Sequence, residues 1–93
     1  MKLEEELKAE TLKWLERIKK RTVDGDKRFV ENIKAYVADS EYFLLKGDLI
    51  RAFECLIWAW AWLEIGLEIG KVYETRSTHV GGEKFAEEDS ELR

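Results

Sequence analysis

The sequence YFLLKGDLIRAFECL, residues 42–56, contains a helix end followed at once by a helix start. Gly47 can adopt the left-handed conformation that ends many helices, and the Asp48 side chain can cap the helix that follows. Because only two residues separate the helices, the chain must fold back on itself as an antiparallel hairpin. This corner therefore predicts two helices that pack against each other along their length.

Helical periodicity extends in both directions from this corner. Apolar residues at three- and four-residue steps predict one helix from about Lys27 to Lys46 and another from Leu49 to about Tyr73. Small residues are frequent along the inner seam of the second helix, which consists of Ala52, Leu56, Ala59, Leu63, Gly66, Gly70 and Tyr73. Each glycine inside a helix disfavours it by about 1 kcal/mol, so we expect close packing to compensate.

A further helix is predicted before this hairpin, from about Lys2 to Arg21. Its apolar positions recur at helical spacing and predict an inward face of Leu3, Leu7, Trp14, Leu15 and Ile18. Acidic residues in its first turn and basic residues in its last turn favour the helix dipole. Residues 22–26 are a predicted turn, in which Asp24 or Asp26 caps the next helix. No β-strand is expected before Tyr73.

Length and composition fit a single helical domain. Ninety-three residues leave room for one hydrophobic core, and the absence of proline removes the commonest helix breaker. We therefore predict an all-α fold, a three-helix bundle over residues 1–74 with a long helical hairpin from its centre to its C-terminal end. Apolar residues then become sparse, so residues 75–93 are predicted to form a polar acidic tail, either mobile or partly helical.

Several features predict a cytoplasmic, thermostable protein. Cys55 is the only cysteine, so a disulfide cannot cross-link the domain and a reducing compartment is expected. The first ten residues, MKLEEELKAE, are unlike a signal peptide. The longest run without charge, residues 55–63, is far shorter than the ~20 apolar residues that a membrane span needs. Charged residues make up 39% of the chain, with one asparagine and no glutamine, a pattern typical of hyperthermophiles.

Histidine and cysteine chemistry is nearly excluded by the residues present. His79 is the only histidine and lies in the tail, and Cys55 is the only cysteine. Nucleophilic catalysis needs a neighbouring base, and structural zinc needs four ligands. We therefore assign no catalytic, cofactor-binding or metal-binding residue and expect no enzyme activity. The alternative is a metal- or nucleotide-dependent enzyme that uses carboxylates near the corner, namely Asp39, Glu41, Asp48 and Glu54.

Basic residues concentrate around the turn between the first two helices. They are Arg17, Lys19, Lys20, Arg21, Lys27 and Arg28. Contact with RNA or DNA through this turn is an alternative function. The formal net charge of −4 counts against it, since general nucleic-acid binders are basic. Helix-dipole compensation explains the same residues, and we expect no tight binding to nucleic acid.

The last predicted helix is apolar on almost every side. Beyond its inner seam it carries a second apolar cluster beside Arg51, consisting of Trp58, Trp62, Ile65, Ile69 and Val72. A helix in a three-helix bundle buries only part of its circumference, so this cluster is a candidate interface. We expect a homodimer that buries it. The alternatives are cover by the first helix, cover by the tail through Phe85, or an external protein partner.

The segment from Tyr36 to Gly66 resembles a family of short archaeal proteins known as domain of unknown function 357. The matching residues are Tyr36-x-x-Asp39, Phe43-Leu44-x-x-Gly47-Asp48-x-x-Arg51-Ala52-Phe53-Glu54 and Trp58-Ala59-x-Ala61-Trp62-Leu63-x-x-Gly66. The resemblance implies an archaeal origin and a three-helix bundle, and it supplies no activity. It marks a polar corner of five signature positions, Tyr36, Asp39, Asp48, Arg51 and Glu54. The leading hypothesis is a small non-enzymatic helical module that acts through self-association or protein contacts.

Overall fold

The computed structural model describes residues 2–75, which form three helices and two short strands. The elements in chain order are α1 (Lys2–Lys19), β1 (Val23–Gly25), α2 (Lys27–Leu45), α3 (Leu49–Glu68) and β2 (Val72–Glu74). The prediction of an all-α three-helix bundle is confirmed. Within residues 2–75, no helix combines the length and the apolar character needed to cross a membrane. The predicted acidic tail lies almost entirely outside the described residues.

The corner between α2 and α3 has the predicted geometry. Gly47 has a φ angle of +81°, and the Gly47 and Asp48 amides donate to the carbonyls of Leu44 and Phe43, at 3.1 and 2.9 Å. These two hydrogen bonds form a Schellman motif, which satisfies carbonyls at the end of α2. The Asp48 side chain accepts a hydrogen bond from the Arg51 amide at 3.1 Å and so caps α3. Both predicted roles are therefore confirmed.

The predicted seam of α3 is the centre of the core. Its buried residues are Ala52, Leu56, Ala59, Leu63 and Gly66. Leu15 and Ile18 of α1 and Ile33 of α2 pack into the same cluster. A fully buried serine on α2, Ser40, donates to the carbonyl oxygen of Ala52 at 2.8 Å. Small residues on both helices therefore allow α2 and α3 to approach closely.

The two short strands show that the prediction of no β-strand before Tyr73 was wrong. Strand β1 pairs antiparallel with β2, with Val23 opposite Glu74 and Gly25 opposite Val72. Helix α3 ends at Glu68 instead of Tyr73, because Gly70 has a φ angle of +77° and turns the chain back. Gly70 therefore ends the helix, although it was predicted to lie within the helix as part of the packing seam.

Helix α1 lies parallel to α3 and covers one side of the hairpin. Leu7 and Ile57 line the same depression between the two helices, and Trp14 contacts Trp60 with ring centroids 5.7 Å apart. The helix ends at Lys19, two residues before the predicted end. Leu3, predicted to point inward, is 70% exposed, so the first turn of α1 does not contribute it to the core.

Candidate interaction surface

The side of α3 that faces away from α1 carries four large apolar residues. We call Trp58, Trp62, Ile65 and Ile69 the tryptophan face. Trp58, Ile65 and Ile69 are 56%, 54% and 57% exposed, and Trp62 is half-buried. Trp60 contacts α1. Trp58 and Trp62 are each two residues from Trp60, and two residues correspond to a rotation of about 200°, so both lie on the opposite side of the helix. Helix α1 therefore does not cover this face.

Two aromatic residues of α2 support the tryptophan face from one edge. The Tyr36 ring stacks on Trp58 with centroids 6.2 Å apart, and the Phe29 ring meets Trp62 edge-on at 4.8 Å. A hollow of about 250 Å³ opens between these side chains, lined by Phe29, Trp58, Ala61, Trp62 and Ile65. All lining residues are apolar, so this surface is suited to bury another apolar surface.

Val72 was predicted to belong to this cluster, and the structure places it elsewhere. It lies in β2 and is only 3% exposed, so it contributes to the core. A Cβ atom added to Gly66 would lie 2.9 Å from Val72 Cγ2 and 3.0 Å from Phe29 Cδ2. The missing side chain of Gly66 thus makes room for Val72 and Phe29. The alternative in which Phe85 covers the tryptophan face concerns a residue outside the described range.

Residues 2–72 match the family described as "Protein of unknown function (DUF357)". The chain belongs to this family. It is also similar to the crystal structure of protein AF1782 from Archaeoglobus fulgidus, assigned to the same family, at 67% identity and a TM-score of 0.75. The match covers 78% of this chain and 99% of the relative. No curated protein matches the chain. The family assignment therefore supplies a fold and an archaeal relative but no activity.

The five polar signature positions of the DUF357 chain make contacts of different kinds. Asp48 and Arg51 form an ion pair at 2.7 Å, whereas Tyr36 stacks on Trp58. The Arg51 side chain and amide hold the pKa of Asp48 below its ordinary value. Asp39 and Glu54 lie near the half-buried thiol of Cys55, whose pKa is raised by burial and then by these two carboxylates. The polar corner therefore consists of a helix cap and surface charges.

The carboxylates considered for metal binding are also dispersed. Glu41 pairs with Lys19, and Asp48 pairs with Arg51. Among residues 2–75, no group of three or more His, Cys, Asp or Glu side chains is placed to hold a metal ion. The hypothesis of a carboxylate-dependent enzyme thus gains no support from the arrangement of these side chains.

The basic turn of the DUF357 chain is largely paired with acidic or aromatic groups. Lys19 pairs with Glu41, and Arg21 pairs with Glu74. Lys27 lies 4.0 Å from Glu31, and the Arg17 guanidinium lies 4.5 Å from the centre of the Trp14 ring. The three ion pairs of Lys19, Arg21 and Lys27 offset part of the local positive charge that a phosphate backbone would need.

A second apolar depression lies between α1 and α3, and it was not predicted from the sequence. We call it the α1–α3 groove. Its volume is about 320 Å³, and its lining consists of Leu7, Glu10, Trp14, Phe53, Leu56, Ile57 and Trp60. The Trp14 indole donates to Glu10 at 2.9 Å, and the Trp60 indole donates to the Trp14 carbonyl at 3.2 Å. Both indole groups are therefore satisfied, and apolar atoms dominate the floor of the groove.

Asp48 provides a test of the corner. Asp48→Ala removes the cap of α3 and the partner of Arg51, so we expect a thermal unfolding midpoint lower by a few degrees. Asp48→Asn keeps a capping oxygen and should have a smaller effect. Because the pKa of Asp48 is lowered on folding, its charge stabilises the fold at pH values above its ordinary pKa of about 4.

This stabilisation is lost as the pH falls through the lower pKa of the folded state. Thermal melts of wild type and Asp48→Asn between neutral and acidic pH measure the effect. The difference between the two midpoints should close towards acidic pH. A difference that is independent of pH would contradict the ion pair with Arg51.

Proposed function

We propose that this DUF357 protein is a non-enzymatic helical module that self-associates through its tryptophan face. The observation that carries the proposal is the exposure of Trp58, Ile65 and Ile69, each more than half accessible on a helix whose other side is the core. Complete burial of one exposed large apolar side chain contributes about 1.5–3 kcal/mol, and roughly half of this remains available at each of these residues. Three such side chains at one surface supply a substantial driving force for association.

The shape of the tryptophan face supports a second copy of the chain as its partner. A two-fold axis brings identical surfaces together, so each surface needs both a projection and a recess. Ile69 projects near one end of the face, and the hollow beside Ala61 is about 250 Å³ in volume. The small side chain of Ala61 permits another helix to approach closely. A homodimer with α3 at its centre satisfies these requirements.

We also propose a cytoplasmic location, an archaeal origin and high thermal stability. The half-buried free thiol of Cys55 fits a reducing compartment, and the chain is 67% identical to a protein of Archaeoglobus fulgidus. The single asparagine and the 39% content of charged residues support thermostability.

Sedimentation equilibrium on wild type and on a Trp58→Glu, Ile65→Glu double variant tests the self-association. Two charges on the tryptophan face would have to be desolvated in the contact, so the Kd should rise by at least about 100-fold. The variant should therefore have half the mass of the wild-type assembly at tens of micromolar.

Leu45→Glu is the matched control, because Leu45 is 89% exposed and lies outside the tryptophan face. It should leave the mass unchanged. Circular dichroism confirms that all three proteins are folded. A monomeric wild type, or equal masses for wild type and the double variant, would refute the tryptophan face as an interface.

A further inference from the structure

Exposed apolar residues occur on both helices that form the α1–α3 groove. Leu3 of α1 is 70% exposed, Ile50 of α3 is 66% exposed and Ile57 is 51% exposed. We propose that α1 of a second copy binds antiparallel in this groove. The chain then self-associates through two separate surfaces, and this inference rests on the groove alone and not on the tryptophan face.

The geometry of the groove suits a helix. Its two walls are α1 and α3, which run parallel, and Trp14 of α1 contacts Trp60 of α3 with ring centroids 5.7 Å apart. A helix that lies in such a groove inserts residues spaced by three or four positions. Leu7, Glu10 and Trp14 have this spacing in α1 and line the groove, so a second copy of α1 can present the same three residues to it.

The order of charges along α1 identifies the partner and its direction. Glu6, Glu10, Lys13 and Arg17 follow one another at steps of four, three and four residues, so they form one exposed stripe. Glu10 is part of the groove lining, which places this stripe at the rim of the groove. An antiparallel second copy sets Glu6 against its Arg17 and Glu10 against its Lys13. A parallel copy would set like charges against each other.

Contacts within one chain do not prevent this exchange of partners. Glu10 and Lys13 are 3.3 Å apart, with both side chains about half exposed, and Glu10 also accepts an exposed hydrogen bond from the Trp14 indole at 2.9 Å. Exposed ion pairs of this kind contribute at most about 1 kcal/mol. The apolar groove therefore supplies the affinity of the contact, and the charge stripe sets its direction.

The test uses two charge variants in the Trp58→Glu, Ile65→Glu background, where the groove is the remaining surface. Glu6→Lys, Glu10→Lys makes the stripe basic, and Lys13→Glu, Arg17→Glu makes it acidic. Each variant alone brings like charges together, so its Kd for self-association should rise at least about tenfold over the background protein. A 1:1 mixture restores opposite charges and should associate with a Kd within about threefold of the background.

Glu5→Lys, Glu16→Lys is the matched control for Glu6→Lys, Glu10→Lys, because both replace two glutamates by lysines and Glu5 and Glu16 lie on another side of α1. This control should associate like the background protein, and thermal melts check that every variant is folded. The inference is overturned if the background protein is monomeric at several hundred micromolar, or if the mixture associates no better than its components. Where both surfaces operate, wild type should form assemblies larger than a dimer. Because the charge variants are compared within one background, their outcome is independent of the test of the tryptophan face.

Discussion

Replacement of Gly25 by alanine is expected to reduce the free energy of unfolding by about 2–4 kcal/mol, through backbone strain and overpacking. Gly25 has a φ angle of +136°, which side-chain-bearing residues rarely adopt. An added Cβ atom would lie 2.4 Å from the Lys71 carbonyl oxygen and 2.9 Å from Val72 Cα. Both are backbone atoms, so relief of the clash requires β1 and β2 to separate.

The separation would also affect neighbouring hydrogen bonds and the core. The Asp26 amide donates to the Lys71 carbonyl at 2.8 Å, and Asp26 in turn caps α2. Val72 is buried against Gly66, so movement of β2 opens the end of the core. A clash at Gly25 therefore disturbs the start of α2 and the packing of α3 together.

Gly70→Ala is the control for this prediction. Gly70 also has a left-handed backbone, with a φ angle of +77°, but an added Cβ atom would meet no heavy atom within 4 Å. Its replacement should cost only the conformational penalty of about 1–2 kcal/mol. Urea titrations monitored by circular dichroism measure both variants. Equal losses at Gly25 and Gly70 would contradict the role of the close contact with β2.

The α2–α3 hairpin was predictable because its signals are local. Gly47 and Asp48 lie side by side, and the hydrogen bonds that define the corner join residues at most five positions apart. The seam of α3 was equally predictable, because its periodicity persists over about four turns, from Ala52 to Gly66. Neither feature depends on contacts between distant parts of the chain.

The strand pair could not be predicted in the same way. Each strand has three residues, too few to show a two-residue alternation, and the partners Gly25 and Val72 are 47 positions apart. Gly70 was also ambiguous, because a glycine can either pack inside a helix or end it. Because Gly70 was assigned to the packing seam, α3 was predicted to extend too far, and Val72 was assigned to the tryptophan face.

The two candidate surfaces also differ in how far local sequence patterns can predict them. Trp58, Ile65 and Ile69 were separated from the core by helical geometry alone, and the structure places all three on an exposed face. The α1–α3 groove depends on how far α1 is displaced along α3, which no local pattern specifies. A signal was nevertheless present in α1, where acidic Glu6 and Glu10 precede basic Lys13 and Arg17 on one stripe.

Leu63→Ala should cause one of the largest losses of stability in the chain, whereas Ile65→Ala should depend on assembly. Leu63 is 1% exposed and belongs to the core cluster. Removing a buried leucine side chain costs about 3 kcal/mol or more, through lost burial and the cavity that remains. That is a large fraction of the roughly 5–15 kcal/mol that holds a domain folded.

Ile65 is 54% exposed, so its replacement should cost the isolated chain less than about 1 kcal/mol. If the tryptophan face is buried between two copies, association stabilises the wild type more as the protein concentration rises. The deficit of Ile65→Ala relative to wild type should then grow with concentration. The deficit of Leu63→Ala should be present in full even in dilute solution, because the core exists in every monomer.

Denaturant titrations of the three proteins at low and at high micromolar concentration separate these two origins of stability. A deficit of Ile65→Ala that is the same at both concentrations would show that Ile65 is not buried on association. A small deficit for Leu63→Ala would show that the α3 seam can collapse around the missing side chain. The expected pattern is a constant large loss at Leu63 and a concentration-dependent loss at Ile65, two residues apart on opposite sides of one helix.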